Sequence, residues 1–122
     1  MTRYERHQLA KVPVKMRFHQ IMIDHLAEMA LEKELPLSRF IGDILEEATN
    51  ALKPAKYQLN DMTDTYVLTR NANQKVGSKQ LKVYINQETC TMIDTIASHH
   101  GSTAPEVRTS LLLDYLNSCG IL

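Results

Sequence analysis

Several things are scarce or missing in these 122 residues. The longest apolar stretches fall well short of the ~18 residues a membrane-spanning helix needs, and the opening, Met1-Thr2-Arg3-Tyr4-Glu5-Arg6, has no apolar core of a secretion signal. There are four glycines, too few and too scattered for a glycine-rich phosphate loop. The two cysteines, Cys90 and Cys119, make no CxxC or Cys/His spacing, so the expectation is a pair of reduced thiols in a cytoplasmic protein, without metal or cofactor. His99-His100 has no acidic or cysteine partner at ligand spacing, and no Ser, His and Asp constellation stands out. Nothing here points to an enzyme. Net charge is also missing: Lys plus Arg and Asp plus Glu are 14 each.

That neutrality hides a strong polarity. Residues 1–19 carry five basic residues against one acid, residues 20–52 carry two against seven, and residues 65–87 carry four against none. A chain of this kind can meet a polyanion with one face despite a neutral total, although charge alone is equally compatible with ordinary solvated surface.

What is present is a repeated pattern. Val14-Lys15-Met16-Arg17-Phe18-His19 alternates apolar with basic or polar residues, the period of a strand with one oily and one cationic face. At a shift of 67 the pattern returns as Leu81-Lys82-Val83-Tyr84-Ile85-Asn86. Each copy is followed by two segments of helical period. After the first, Met22, Leu26, Met29 and Ala30 share a face, Pro36 interrupts, and Phe40, Ile41, Ile44, Leu45, Ala48 and Leu52 share the next. The same shift brings Leu26 onto Ile93, Met29 onto Ile96, Ala30 onto Ala97, Phe40 onto Val107, Ile44 onto Leu111 and Leu45 onto Leu112. Agreement of pattern with little identity is how structural repeats show themselves. In the second copy Gly101 suits a left-handed helix end, and Thr103-Ala104-Pro105-Glu106 suits a capping box, with Thr103 at the helix start and Glu106 reaching back.

One such unit buries too little apolar surface to stand alone, and one strand leaves its backbone unpaired. Two units in one chain remedy both. The expected fold is therefore α+β and mostly helical: a two-stranded antiparallel ribbon on four helices with pseudo-twofold symmetry. Residues 1–11 form a basic arm or a disordered end; residues 12–52 are the first strand-helix-helix repeat, 53–79 a connector and 80–122 the second repeat, all in one compact domain. In the connector, Thr65-Tyr66-Val67-Leu68-Thr69 has β character, as an edge strand or a segment laid over the core. The chain is expected to be a monomer, with a swapped dimer having the same core as the alternative.

A strand with alternating basic residues, a first helix of the form Leu-x-x-Met-Ala, a short break and a capped second helix resembles the ribbon-helix-helix family of bacterial DNA-binding proteins. Two unlike copies in one chain make it similar to the tandem accessory proteins of bacterial DNA transfer, the TraY-type proteins of conjugative relaxosomes and the overdrive-binding virulence proteins of Ti plasmids. The resemblance implies binding of double-stranded DNA, with the strands in the major groove and backbone amides at the start of each second helix on phosphate. It places base reading at Lys15, Arg17 and His19 with Lys82, Tyr84 and Asn86, and phosphate contacts at Ser38, Arg39 and Thr103. Lys11, Lys79, Arg3 and Arg6 are further candidates for phosphate by charge and position. Asn86 and His19 could instead cap a helix. The implied role is an accessory factor in plasmid or T-DNA processing, with a relaxase or other transfer proteins as further partners. A repressor or antitoxin of the same type remains open. So does a protein-binding module using the acidic residues Glu28, Glu32, Glu46 and Glu47.

Overall fold

The computed structural model describes residues 11–50, 52–59 and 78–120, without the side chains of His19, Ile21 and Ser78. Within them the chain runs β1 (Lys11–His19), α1 (Gln20–Glu32), α2 (Leu37–Asn50), β2 (Ser78–Asn86), α3 (Gln87–His100) and α4 (Ala104–Ser118). The fold is α+β and mostly helical, four helices with one two-stranded antiparallel sheet. The strand–helix–helix order expected of each repeat is present twice. The proposed strand at Thr65–Thr69 and the basic residues Arg3 and Arg6 lie outside the described residues.

The two strands pair along their full length, from Lys11 opposite Asn86 to His19 opposite Ser78. The middle pair is Lys15 with Lys82, the two residues that the 67-residue shift equates. Alternation then decides which side chains face the helices. Met16, Phe18, Val83 and Ile85 are buried and Val14 and Leu81 half-buried, all on the inner face as their period requires. Burying side chains of this size stabilises by about 1.5–3 kcal/mol each.

Beneath the sheet the helices supply Met22, Leu26, Ile41, Leu45, Ile93, Ile96, Leu112 and Leu116, all 2% exposed or less, so that one core serves both repeats. Ala30 and Ala97, Phe40 and Val107, and Ile44 and Leu111 are buried in matching pairs. Met29 is half-buried while its counterpart Ile96 is fully enclosed. Two threonines are buried at the contact of α2 and α3, where the Thr49 hydroxyl lies 3.3 Å from that of Thr89 and bonds back to the Leu45 carbonyl.

Both first helices end in the same way. At the end of α1, Glu34 adopts a left-handed backbone (φ 57°), and Leu35 N–H reaches back to the Ala30 carbonyl. At the end of α3, Gly101 does so (φ 61°), and Ser102 N–H bonds to Ala97. Each pattern satisfies carbonyls that would otherwise be orphaned at the helix end. In α4, Thr103 is the N-cap, its hydroxyl oxygen accepting from Glu106 N–H. Glu106 does not reach the backbone as a capping box would have it; its carboxylate accepts from the Thr103 hydroxyl at 3.0 Å.

The start of the connector is packed. Lys53 to Tyr57 forms a turn held by Lys56 and Tyr57 N–H on the Lys53 carbonyl. Leu52, Tyr57 and Leu59 lie against the core, and the Tyr57 phenol meets Ser110 and Asp114 on α4.

Candidate nucleic-acid interface

The outer face of the sheet is built by the same alternation that builds the core. On β1 the exposed residues are Pro13, Lys15 and Arg17; on β2 the exposed residues of the same face are Gln80, Lys82 and Tyr84. The register pairs Pro13 with Tyr84, Lys15 with Lys82 and Arg17 with Gln80. Three cations and no acid therefore stand on these six positions. Opposed residues of an antiparallel pair have Cβ atoms about 4.5–5.5 Å apart, and like charges there are destabilising. The centre of the face carries such a pair.

Four of the expected base-reading residues, Lys15, Arg17, Lys82 and Tyr84, share this surface. Asn86 does not. It is the N-cap of α3: its side-chain carbonyl accepts from Thr89 N–H at 2.7 Å, and its amide donates to Glu46 at 3.0 Å. Both ends of the amide are thus engaged below the outer face, and base reading at Asn86 is corrected to capping. The physical reason is the direct passage from β2 into α3, which puts the strand's last residue where the first helical N–H groups need an acceptor. His19 holds the equivalent place before α1, opposite Ser78.

Lys11 is corrected as well. Its ammonium lies 2.7 Å from the Glu46 carboxylate, with the two side chains only 13% and 17% exposed. It is half-buried in an ion pair and is not displayed to a phosphate. The same carboxylate therefore holds Lys11 and Asn86, which are opposite one another at one end of the sheet. Glu46 accordingly leaves the acidic outer surface to which composition assigned it; Glu28, Glu32 and Glu47 are exposed.

Lys79 is exposed at the other end of the sheet, across from Phe18. Ser38 is half-buried in the first turn of α2, and Arg39 beside it is exposed, 3.9 Å from Asp43 one turn on. Thr103 is exposed at the start of α4 with its hydroxyl engaged by Glu106.

Pro13 and Gln80 are members of the outer face that sequence reasoning missed. A signal existed. If the repeat shift pairs Lys15 with Lys82 at the centre of an antiparallel sheet, the neighbours on the same face must be Pro13 with Tyr84 and Arg17 with Gln80. Aligning the two strands in parallel, copy on copy, obscures that.

Burial pushes the Cys90 thiol above its ordinary range, with Asp94 adding to the rise, and burial lowers the Arg108 guanidinium. Cys90 and Cys119 are free thiols. Among the described residues no group of three or more His, Cys, Asp or Glu could hold a metal ion, and no helix is long and apolar enough to cross a membrane. Comparison of the chain with family models, curated proteins and solved structures finds no match.

Proposed function

We propose that this protein binds double-stranded DNA with the outer face of its sheet, as a single-chain ribbon-helix-helix protein with an internal pseudo-twofold axis through Lys15 and Lys82. The opposed lysines carry the reading. For the free protein, two ammonium groups facing each other across neighbouring strands oppose folding by a few tenths of a kcal/mol to about 1 kcal/mol. Laid against a polyanion, the same pair becomes an attraction. A two-stranded ribbon has the width to enter the major groove, where all four base pairs present distinct edges. The exposed acidic residues Asp24, Glu28 and Glu32 belong to α1, and the six outer positions of the sheet carry no acid. The role that goes with this reading is an accessory factor in plasmid or T-DNA processing and transfer, acting in the cytoplasm beside a relaxase or other transfer proteins.

The test compares stability with binding. With Lys15, Arg17, Lys79 and Lys82 on phosphates or bases, log K for duplex DNA should fall with log salt at a slope of about −3 to −4. Lys15→Thr and Lys82→Thr should each reduce that slope by about 1 and raise stability toward urea by about 0.2–1 kcal/mol. Salt-independent binding, or no retention of duplex at low salt, would remove the proposal.

A further inference from the structure

The two halves of the outer face differ in chemistry, and the register makes the difference sharp. On one side of the central lysines stands the pair Arg17 and Gln80, and on the other the pair Pro13 and Tyr84. Arg17 and Gln80 both end in planar groups that can make bidentate hydrogen bonds to purine edges, guanine for Arg and adenine for Gln. Pro13 has an apolar ring and no N–H. Tyr84 has an aromatic ring with one hydroxyl, and half of its surface is open to solvent (50%). Leu31 on α1 and Tyr84 are the large hydrophobic residues left exposed among those described, and Tyr84 has its apolar neighbour directly opposite.

We infer that the Pro13–Tyr84 half of the face reads thymine through its 5-methyl group, while the Arg17–Gln80 half reads purine edges, so that the DNA site is chemically asymmetric. The inference rests on the proposal that this face enters the major groove. Within that groove thymine is the base whose edge carries an apolar group. A proline ring and a tyrosine ring side by side offer apolar contact and little hydrogen bonding, which suits a methyl group. Against guanine or adenine they would strand acceptors with at most one donor between them. The lysines Lys15 and Lys82 beside the pair give the occupant its sign: it is a polyanion, and the apolar patch is small enough to fit one or two bases within it.

The experiment uses the full chain and a duplex selected by it from a random-sequence pool. Each thymine of that duplex is replaced in turn by deoxyuridine, which removes the 5-methyl group and nothing else. Affinity should drop about fourfold, the factor that burial of one methyl group brings, at one or two thymines in one half of the site and at none in the other. Tyr84→Ser should abolish the preference for thymine over uracil at those positions, and Tyr84→Phe, which keeps the ring, should retain it. Equal sensitivity in both halves, sensitivity nowhere, or a preference that survives Tyr84→Ser would overturn the inference while leaving DNA binding intact. A chain that retains no duplex at low salt would overturn both.

Discussion

Gly42 in α2 lies against the backbone of Tyr84 in β2, so closely that a Cβ on Gly42 would sit 2.9 Å from the Tyr84 carbonyl oxygen and 3.4 Å from a Val83 methyl carbon. The absence of a side chain lets α2 pack directly under the strand that displays Lys82 and Tyr84. The residue 67 positions later is Thr109, so the close approach belongs to one repeat and breaks the symmetry of the pair. Gly42→Ala should therefore destabilise, although alanine is the better helix former by about 1 kcal/mol. Forcing a methyl group against backbone costs about 1–3 kcal/mol, and the obstacle here is a carbonyl that cannot rotate away. The expected net loss is up to about 2 kcal/mol in urea denaturation. A variant as stable as the parent would show that α2 can withdraw freely from the sheet.

Glu46 ties one end of the sheet to α2, one oxygen on Lys11 and the other on Asn86, which in turn caps α3. Its counterpart in the second repeat is Leu113, fully buried in the core, so the sheet is pinned by charge at one end. Glu46→Ala should cost about 1–3 kcal/mol, because it leaves a largely enclosed ammonium without its counter-charge and the Asn86 amide without an acceptor. Replacing both partners, Lys11→Met with Glu46→Leu, should restore most of that loss, and a double-mutant cycle should return a coupling of about 1–2 kcal/mol. Lys11→Met alone should leave the salt dependence of DNA binding unchanged, in contrast to Lys82→Thr. A slope that falls by about 1 on removing Lys11 would mean that phosphate displaces Glu46.

Period and repeat make the strands and helices legible in the sequence: alternation marks Met16, Phe18, Val83 and Ile85 as core, and the shared shift pairs Phe40 with Val107. The limits of elements were less legible, because partners set them. Ser78-Lys79-Gln80 has no apolar alternation, yet it is strand, since the backbone of Arg17 to His19 pairs with it. Glu34 is a comparable case. Nothing in its type marks a left-handed residue, while Gly101 at the equivalent place is legible at once; the α1 end imposes the conformation through its hydrogen bonds. At the site, periodicity placed four outer residues correctly and failed at the strand ends. Alternation puts Lys11 and Asn86 in the same row as Lys15 and Lys82, but their side chains answer to Glu46, which is 35 and 40 residues away in sequence. No local rule reaches that far.

Tyr57 links the start of the connector to α4, and the link has a pH signature. Its hydroxyl donates to Asp114 at 2.7 Å and lies 2.6 Å from the Ser110 hydroxyl. Half-burial first, and then the Asp114 carboxylate, hold the phenol's pKa well above its ordinary value of 10.0. The folded protein thus favours the neutral phenol, and the unfolded chain gives up that proton at lower pH. Stability from this source is full below about pH 10 and is lost as pH rises from there toward the folded pKa. Burial raises Tyr115 and Cys90 as well, which gives a loss of the same sign in any variant that keeps them. The informative quantity is therefore a difference. Tyr57→Phe should cost about 1 kcal/mol at neutral pH through the lost hydrogen bonds, and its urea midpoint should fall less steeply than that of the parent between about pH 9.5 and 11. Because Tyr57 holds the connector against α4 and is not one of the outer-face residues of the sheet, the substitution should leave DNA affinity and its salt slope unchanged at neutral pH. Parallel alkaline curves for the two proteins would show that the Tyr57 phenol ionises as freely folded as unfolded, and the clasp on Asp114 would have to be given up.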